Sequence, residues 1–156
     1  MDLSLLPRAL EAEIPESYRD EMGHMNVMWY THLFDRAVIT FFAQWGCDEA
    51  YMLAEHAGTF ALTQHFRYLA EVRVGQRVAI HCRLVGRSER RVHFIQYMLH
   101  ADGRVAATVE ALATHVDMRV RRSSPWPPQI AAALDRLAEE HERLVGPPRL
   151  CGALRA

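Results

Sequence analysis

Hydrophobic positions change period near Thr59, and that change divides the chain. Before it, Tyr30, Phe34, Ala37, Val38, Phe41 and Trp45 recur at steps of three and four, the spacing of one helical face. Val27, Met28, Ile39 and Phe42 widen the stripe almost all round, so a helix from Asn26 to Gly46 is expected to be wrapped by other elements. Asn26 suits the N-cap, where its side-chain oxygen can take an unpaired backbone N–H, and Gly46 suits the stop. A short second helix is expected from Asp48 to His56, ending at Gly58.

From Thr59 the period is two. Segments near Phe60–Ala70, Arg77–Gly86, Arg91–Ala101 and Arg104–Val120 are rich in Val, Ile, Phe, Tyr and Thr, as strands are. Asp102-Gly103 marks one hairpin turn, and Gly86 to Arg90 forms a longer basic one. No crossover helix separates these segments, so they are expected to form an antiparallel meander. Upstream, Glu11 to Arg19 reads as a first strand bent at Pro15, after a loose lead-in over residues 1–9. A Pro-rich break, Arg121 to Pro128, leads to a helix over Gln129–Val145, and the last eight residues read as a frayed tail. One sheet curled round one long helix accommodates both the apolar helix and the meander, an α+β class.

Composition narrows the function classes. The chain has 156 residues, half hydrophobic and 24% charged, enough for one domain with its own core and no disulfide or metal staple. The net charge of -1 speaks against broad nucleic-acid binding. All 18 basic residues are arginine, so lysine nucleophiles and Schiff-base lysines are excluded. Cys47, Cys82 and Cys151 are odd in number and widely spaced, as reduced thiols of a cytoplasmic protein would be. No secretory leader and no membrane span are expected. The nine histidines include no HExxH and no paired ligand spacing, so no metal site is expected.

The densest polar group is Tyr18-Arg19-Asp20-Glu21-Met22-Gly23-His24-Met25-Asn26, just before the long helix. A helix start offers unpaired N–H groups and positive partial charge, a place for a phosphate or a developing oxyanion. A carboxylate beside it could serve as base or nucleophile. The same residues also have a plain structural reading, with Asp20 and Asn26 as caps and Gly23 as a turn.

Residues 18–45 resemble hotdog-fold thioesterases of the 4-hydroxybenzoyl-CoA thioesterase type. Their pattern is an aspartate, two residues, then Gly-His-Val-Asn, a Tyr a few residues on, and a helix with an aromatic and an acid-Ala pair. Here it reads Asp20-Glu21-Met22-Gly23-His24-Met25-Asn26, then Tyr30, then Phe34-Asp35-Arg36-Ala37. Phe66 to Gln76, Gly86-Arg87-Ser88 and Asp102 to Ala106 fit the family's later strand, turn and hairpins, so the likeness covers about residues 11–128. Many relatives carry an Asp-x-Asp pair; here Tyr18 replaces the first acid.

The resemblance implies a cofactor-free enzyme that splits acyl-CoA. Asp20 would be the catalytic carboxylate, attacking directly or through water. A backbone N–H at or near Val27 would polarise the thioester oxygen, and His24 and Asn26 would shape the turn and touch substrate. The acyl pocket is expected from Met28, Tyr30, Tyr51, Phe60 and strand residues of a partner chain. Arg87, Arg90 and Arg91 are candidates for the CoA phosphates, since guanidinium forks suit them. Asp35 is a reserve catalytic candidate. Residues 1–128 form the thioesterase-like domain, with 129–156 a helix and tail packed on it. A homodimer, or a tetramer built from it, is expected, because the sheet has a free edge and Met25, Met28 and Trp29 need covering. Two other readings stay open: a hotdog enoyl-thioester hydratase or dehydratase using Asp20 and His24, and a thioester-binding module without activity.

Overall fold

The computed structural model describes residues 2–156. Six strands form one curled antiparallel sheet: β1 (Arg8–Glu13), β2 (Ala57–Tyr68), β3 (Arg77–Arg87), β4 (Arg91–His100), β5 (Val105–Asp117) and the short β6 (Arg122–Ser123). Their order across the sheet is β1-β3-β4-β5-β2, with β6 extending along β5. The helices are α1 (Val27–Ala43), α2 (Glu49–Ala54) and α3 (Pro128–Val145). This is the hotdog arrangement, with α1 lying in the curl of the sheet and α3 added at the C-terminus.

Alternation along the strands sorts the two faces. Val78, Ile80, Cys82 and Leu84 of β3, with Phe94 and Met98 of β4, face α1 and pack on Leu33, Phe34, Ala37 and Phe41. Gln96 faces the same way, buried, and its amide donates to the Phe34 carbonyl at 3.0 Å. Burial pushes the Cys47 and Cys82 thiols up to about 12, which makes them packing groups, not nucleophiles. The opposite, outer face carries Ile95, Tyr97 and Leu99, covered by Leu6 and Val145.

Several expectations need correction. The first strand runs from Arg8 to Glu13 and stops before Pro15, and residues 16–18 form a 3-10 turn. The lead-in is not loose: Leu6 is buried and its carbonyl is bonded to His81 Nδ1 at 2.8 Å. The second helix ends at a positive-φ His56, while Gly58 belongs to β2, where Met118 leaves little room for a Cβ. The tail is held as well, since Leu154 is buried and the Cys151 N–H donates to Glu110 Oε2 at 2.6 Å. Finally, α1 is enclosed on one side only, and Val27, Met28 and Ile39 remain exposed.

The added helix has a physical task. β1 pairs with β3 only as far as His81, so the β3 edge beyond Cys82 lacks a strand partner. There α3 supplies one: the Leu84 N–H donates to His141 Nδ1 at 2.9 Å. Arg87 bonds both carboxylate oxygens of Asp135, at 2.8 and 2.6 Å, and buried Arg83 reaches Glu142 at 2.5 Å. Covering an edge in this way prevents it from templating further strands.

Burial, with Arg83 nearby, pushes the His141 imidazole down to about 4. The fold therefore holds it neutral, while the unfolded chain takes up a proton below about 6.5. Stability is thus fully present above that value and declines as pH falls toward 4. Between pH 7 and pH 5 the decline from this residue should be about 2 kcal/mol. His141→Leu should cost about 1–3 kcal/mol at pH 7, because it strands the Leu84 N–H, and should remove that decline. Urea unfolding at the two pH values checks both, and an undiminished decline in the variant would assign it to other groups.

Candidate active site

The segment between β1 and α1 folds into a pinched loop whose polar atoms are nearly all committed. Arg19 and Met25 pair across it, the Asp20 N–H donates to the His24 carbonyl at 2.8 Å, and Gly23 N–H returns to the Asp20 carbonyl at 3.2 Å. The reversal needs the positive φ of Gly23, +85°, which a side chain would strain. Asp20 Oδ1 accepts from Met22 N–H at 2.9 Å and from His24 N–H at 3.0 Å. Its other oxygen, Oδ2, bonds nothing among the described residues.

Two backbone bonds fix this loop against the rest of the molecule: Met25 N–H to the Val72 carbonyl at 2.7 Å, and Asn26 N–H to the Tyr18 carbonyl at 2.8 Å. Asn26 caps α1, its Oδ1 accepting Met28 N–H at 3.0 Å. The preceding donor, the Val27 N–H, has no partner among the described residues. Tyr18 lies flat on Trp29, ring centroids 3.8 Å apart.

A cleft of about 380 Å³ opens between this loop and the chain leaving β2. Asp20, His24, Val27 and Tyr30 line one side, Tyr68 and Glu71 the other. The Tyr30 hydroxyl accepts the Val72 N–H at 3.2 Å, and its ring meets Tyr68 edge-on at 5.2 Å. Burial pushes the Tyr30 phenol up, keeping its proton in place. His24 Nε2 faces Glu71 Oε2 at 2.6 Å, and the other Glu71 oxygen faces Arg73 at 2.5 Å. Asp20 thus touches the backbone of His24 while the imidazole is directed to Glu71. A carboxylate oxygen, an unpaired N–H and the start of α1 converge here, the parts needed to add to a carbonyl and stabilise the oxyanion that results.

The family described as Thioesterase-like superfamily matches residues 16–134. The chain belongs to the thioesterase-like superfamily. It is 32% identical over 135 residues to an L-carnitine dehydrogenase/betainyl-CoA thioesterase of Agrobacterium fabrum, covering 86% of this chain and 28% of that protein. It is 29% identical to a betainyl-CoA thioesterase of Pseudomonas aeruginosa, covering 88% of this chain and 87% of that one. The chain therefore spans under a third of the length of the two-activity relative and most of the single-activity one. Among solved structures, a putative thioesterase from Pseudomonas putida superposes with a TM-score of 0.79 at 22% identity over 97% of both chains. A Staphylococcus aureus protein solved in complex with CoA gives 0.80 at 18%, over 93% of this chain and 89% of that one. These two structures share the fold.

Within this superfamily fold, the sequence expectations separate into those that converge and those that do not. Asp20, His24, Val27 and Tyr30 meet at one cleft, with Asn26 capping beside it. Met28 is exposed and does not line the cleft. Tyr51 lies elsewhere, its hydroxyl on His115 Nε2 at 2.9 Å. Phe60 is at the far end of β2, eight residues from Tyr68, or about 26 Å, beneath the Arg121 guanidinium. The β3–β4 hairpin with Arg87, Arg90 and Arg91 stands at that far end too. Arg87 is engaged with Asp135 and Arg90 with the Ser123 carbonyl at 3.1 Å. Asp35 is exposed on α1 and does not line the cleft. Tyr68 and Glu71 line the cleft without being among the expected residues; the sequence signal for them is the stretch Phe66 to Gln76, which shares the family likeness and carries both.

No helix among the described residues is long and apolar enough to cross a membrane. Among the same residues no group of three or more His, Cys, Asp or Glu is placed to hold a metal ion.

Proposed function

We propose that this protein hydrolyses acyl-CoA thioesters to the free acid and CoA at the cleft beside Asp20. The observation that carries the reading is the pairing of an uncommitted Asp20 oxygen with the uncommitted Val27 N–H at the start of α1. With the thioester carbonyl oxygen on that N–H, negative charge developing there meets a fixed donor and the positive end of the helix. Asp20 Oδ2 then adds to the carbonyl carbon, or takes a proton from the water that does. In the first route the C–S bond breaks to leave a mixed anhydride on Asp20, which water opens to the free acid and the restored carboxylate. In the second the water adduct expels the thiolate directly. In both the CoA thiolate leaves and takes up the proton that water gives up. Asp20 Oδ1, held by two backbone N–H groups, fixes the direction of attack. The direction of His24 toward Glu71 favours hydrolysis over a hydratase, which would use an Asp20–His24 side-chain pair.

The acyl group we propose is small and cationic, of the betainyl kind. Relatives at 29–32% identity carry that substrate in their names. The cleft here supports it: the rings of Tyr30 and Tyr68 line it together with Asp20, whose second oxygen is uncommitted, and no arginine does. Aromatic faces and nearby carboxylates attract a quaternary ammonium. The test compares betainyl-CoA with 3,3-dimethylbutyryl-CoA, which has the same shape without the charge. Thiol release should favour betainyl-CoA by roughly tenfold or more in kcat/KM. Equal rates would contradict the cationic assignment while leaving hydrolysis in place.

We further propose that the active unit is a two-fold dimer joined through β2. Antiparallel pairing of β2 with its copy about Gln64 sets the partner's Phe60 opposite Tyr68. That arrangement would bring Phe60 back to the pocket wall, in the other subunit.

A further inference from the structure

No arginine lines the cleft beside Asp20. A second cavity, of about 450 Å³, lies next to it. One wall is the outer face of the sheet, with Arg67 of β2, Tyr97 of β4 and Glu110 of β5; the other is the C-terminal tail, with Arg149 and Leu150. Leu69, the residue that follows β2, lines both this cavity and the cleft beside Asp20, so the two adjoin there.

The charges in this cavity are unequal in availability. Glu110 is buried, and both its oxygens are in use: Oε1 faces His93 Nε2 at 2.8 Å and Oε2 accepts the Cys151 N–H at 2.6 Å. Burial pushes its carboxyl up, and the Cys151 and His93 bonds outweigh that and hold it low. The Glu110 charge is therefore answered inside the protein, and the same bonds seat the tail that carries Arg149. Arg67 and Arg149 form no ion pair with any described residue, and both are exposed. What faces the cavity is thus two free guanidinium groups above an apolar floor that includes Leu69, Ile95 and Val105.

We infer that this cavity holds the phosphorylated nucleotide end of the CoA substrate, with Arg67 and Arg149 on its phosphates. The inference rests on the proposed acyl-CoA thioesterase reading and completes it. A CoA ester with its carbonyl at Val27 would pass its flexible arm over Leu69 and reach Arg67 two residues away, about 7 Å along β2. Guanidinium forks match phosphate oxygens, and the apolar floor suits the less polar parts of the ligand.

The test measures binding of adenosine 3′,5′-bisphosphate, which carries the nucleotide end without a thioester, by calorimetry. Wild type, Arg67→Ala, Arg149→Ala and an Arg90→Ala/Arg91→Ala pair are compared, with thermal melts to confirm folding. Each of the first two variants should bind roughly tenfold more weakly, the hairpin pair should bind as wild type does, and wild-type affinity should fall with salt. Wild-type affinity in both Arg67→Ala and Arg149→Ala would overturn the inference. So would a loss confined to the hairpin pair, or binding of betaine at this cavity with none of the bisphosphate. Thiol release by the wild type is scored separately: bisphosphate binding that depends on Arg67, without any hydrolysis, would remove the thioesterase reading and leave the nucleotide site standing.

Discussion

Replacing Asp20 by Asn should lower thioester hydrolysis by roughly 100- to 10,000-fold and leave the fold unchanged. Asn keeps the Oδ1 that accepts the Met22 and His24 N–H groups, so the loop and the start of α1 stay in place. What it loses is the second carboxylate oxygen, the one atom of Asp20 that the loop does not use. An amide can neither take a proton from water nor add to a carbonyl at neutral pH. KM for an uncharged ester should change little, whereas KM for betainyl-CoA should rise, because the variant loses one of the carboxylates that line the cleft. Circular dichroism and melting temperature should match the wild type. A variant that folds and turns over normally would move the catalytic role away from Asp20.

The second large effect concerns the free edge of the sheet. β2 is twelve residues long, pairs only with β5, and is exposed over nearly its whole second half. Leu62 is 47% exposed and Tyr68 49%, and at the start of α1 Val27 and Met28 are exposed too. A long edge strand with exposed apolar side chains pairs with another strand unless something blocks it, and a two-fold axis satisfies both copies with one surface. The other two residues expected to need a partner do not: Met25 is buried within the chain, and Trp29 is covered by Tyr18. Leu62→Lys combined with Gln64→Lys places like charges across the axis. Light scattering should show a dimer for the wild type and a monomer for the variant, with activity per chain lower by roughly tenfold or more. A fully active monomer would remove the partner from the site.

How much of this was legible in the sequence follows from how local each feature is. The helix start was, because the side chains of Asp20 and Asn26 bond backbone N–H groups only two to four residues on, and residue type reports such contacts directly. The meander was, because its period is written in consecutive residues. Tyr68 and Glu71 were not singled out, because they join Asp20 through the pairing of Met25 with Val72, a long-range contact. Arg87 resembled a phosphate ligand for the same reason: its partner, Asp135, is 48 residues away on α3. The tail resembled a frayed end because the bond that holds it spans the 41 residues between Cys151 and Glu110. The first strand ends before Pro15 instead of bending through it, as a residue without an N–H favours.

The most direct test of the central claim follows two signals in one cuvette as purified protein meets a panel of saturated and enoyl CoA esters: free thiol, by a chromogenic thiol reagent, and enoyl absorbance. The account predicts thiol released in step with ester consumed, fastest for betainyl-CoA, and abolished in Asp20→Asn. Loss of enoyl absorbance without thiol, or ligand-dependent thermal stabilisation with neither signal, would contradict it.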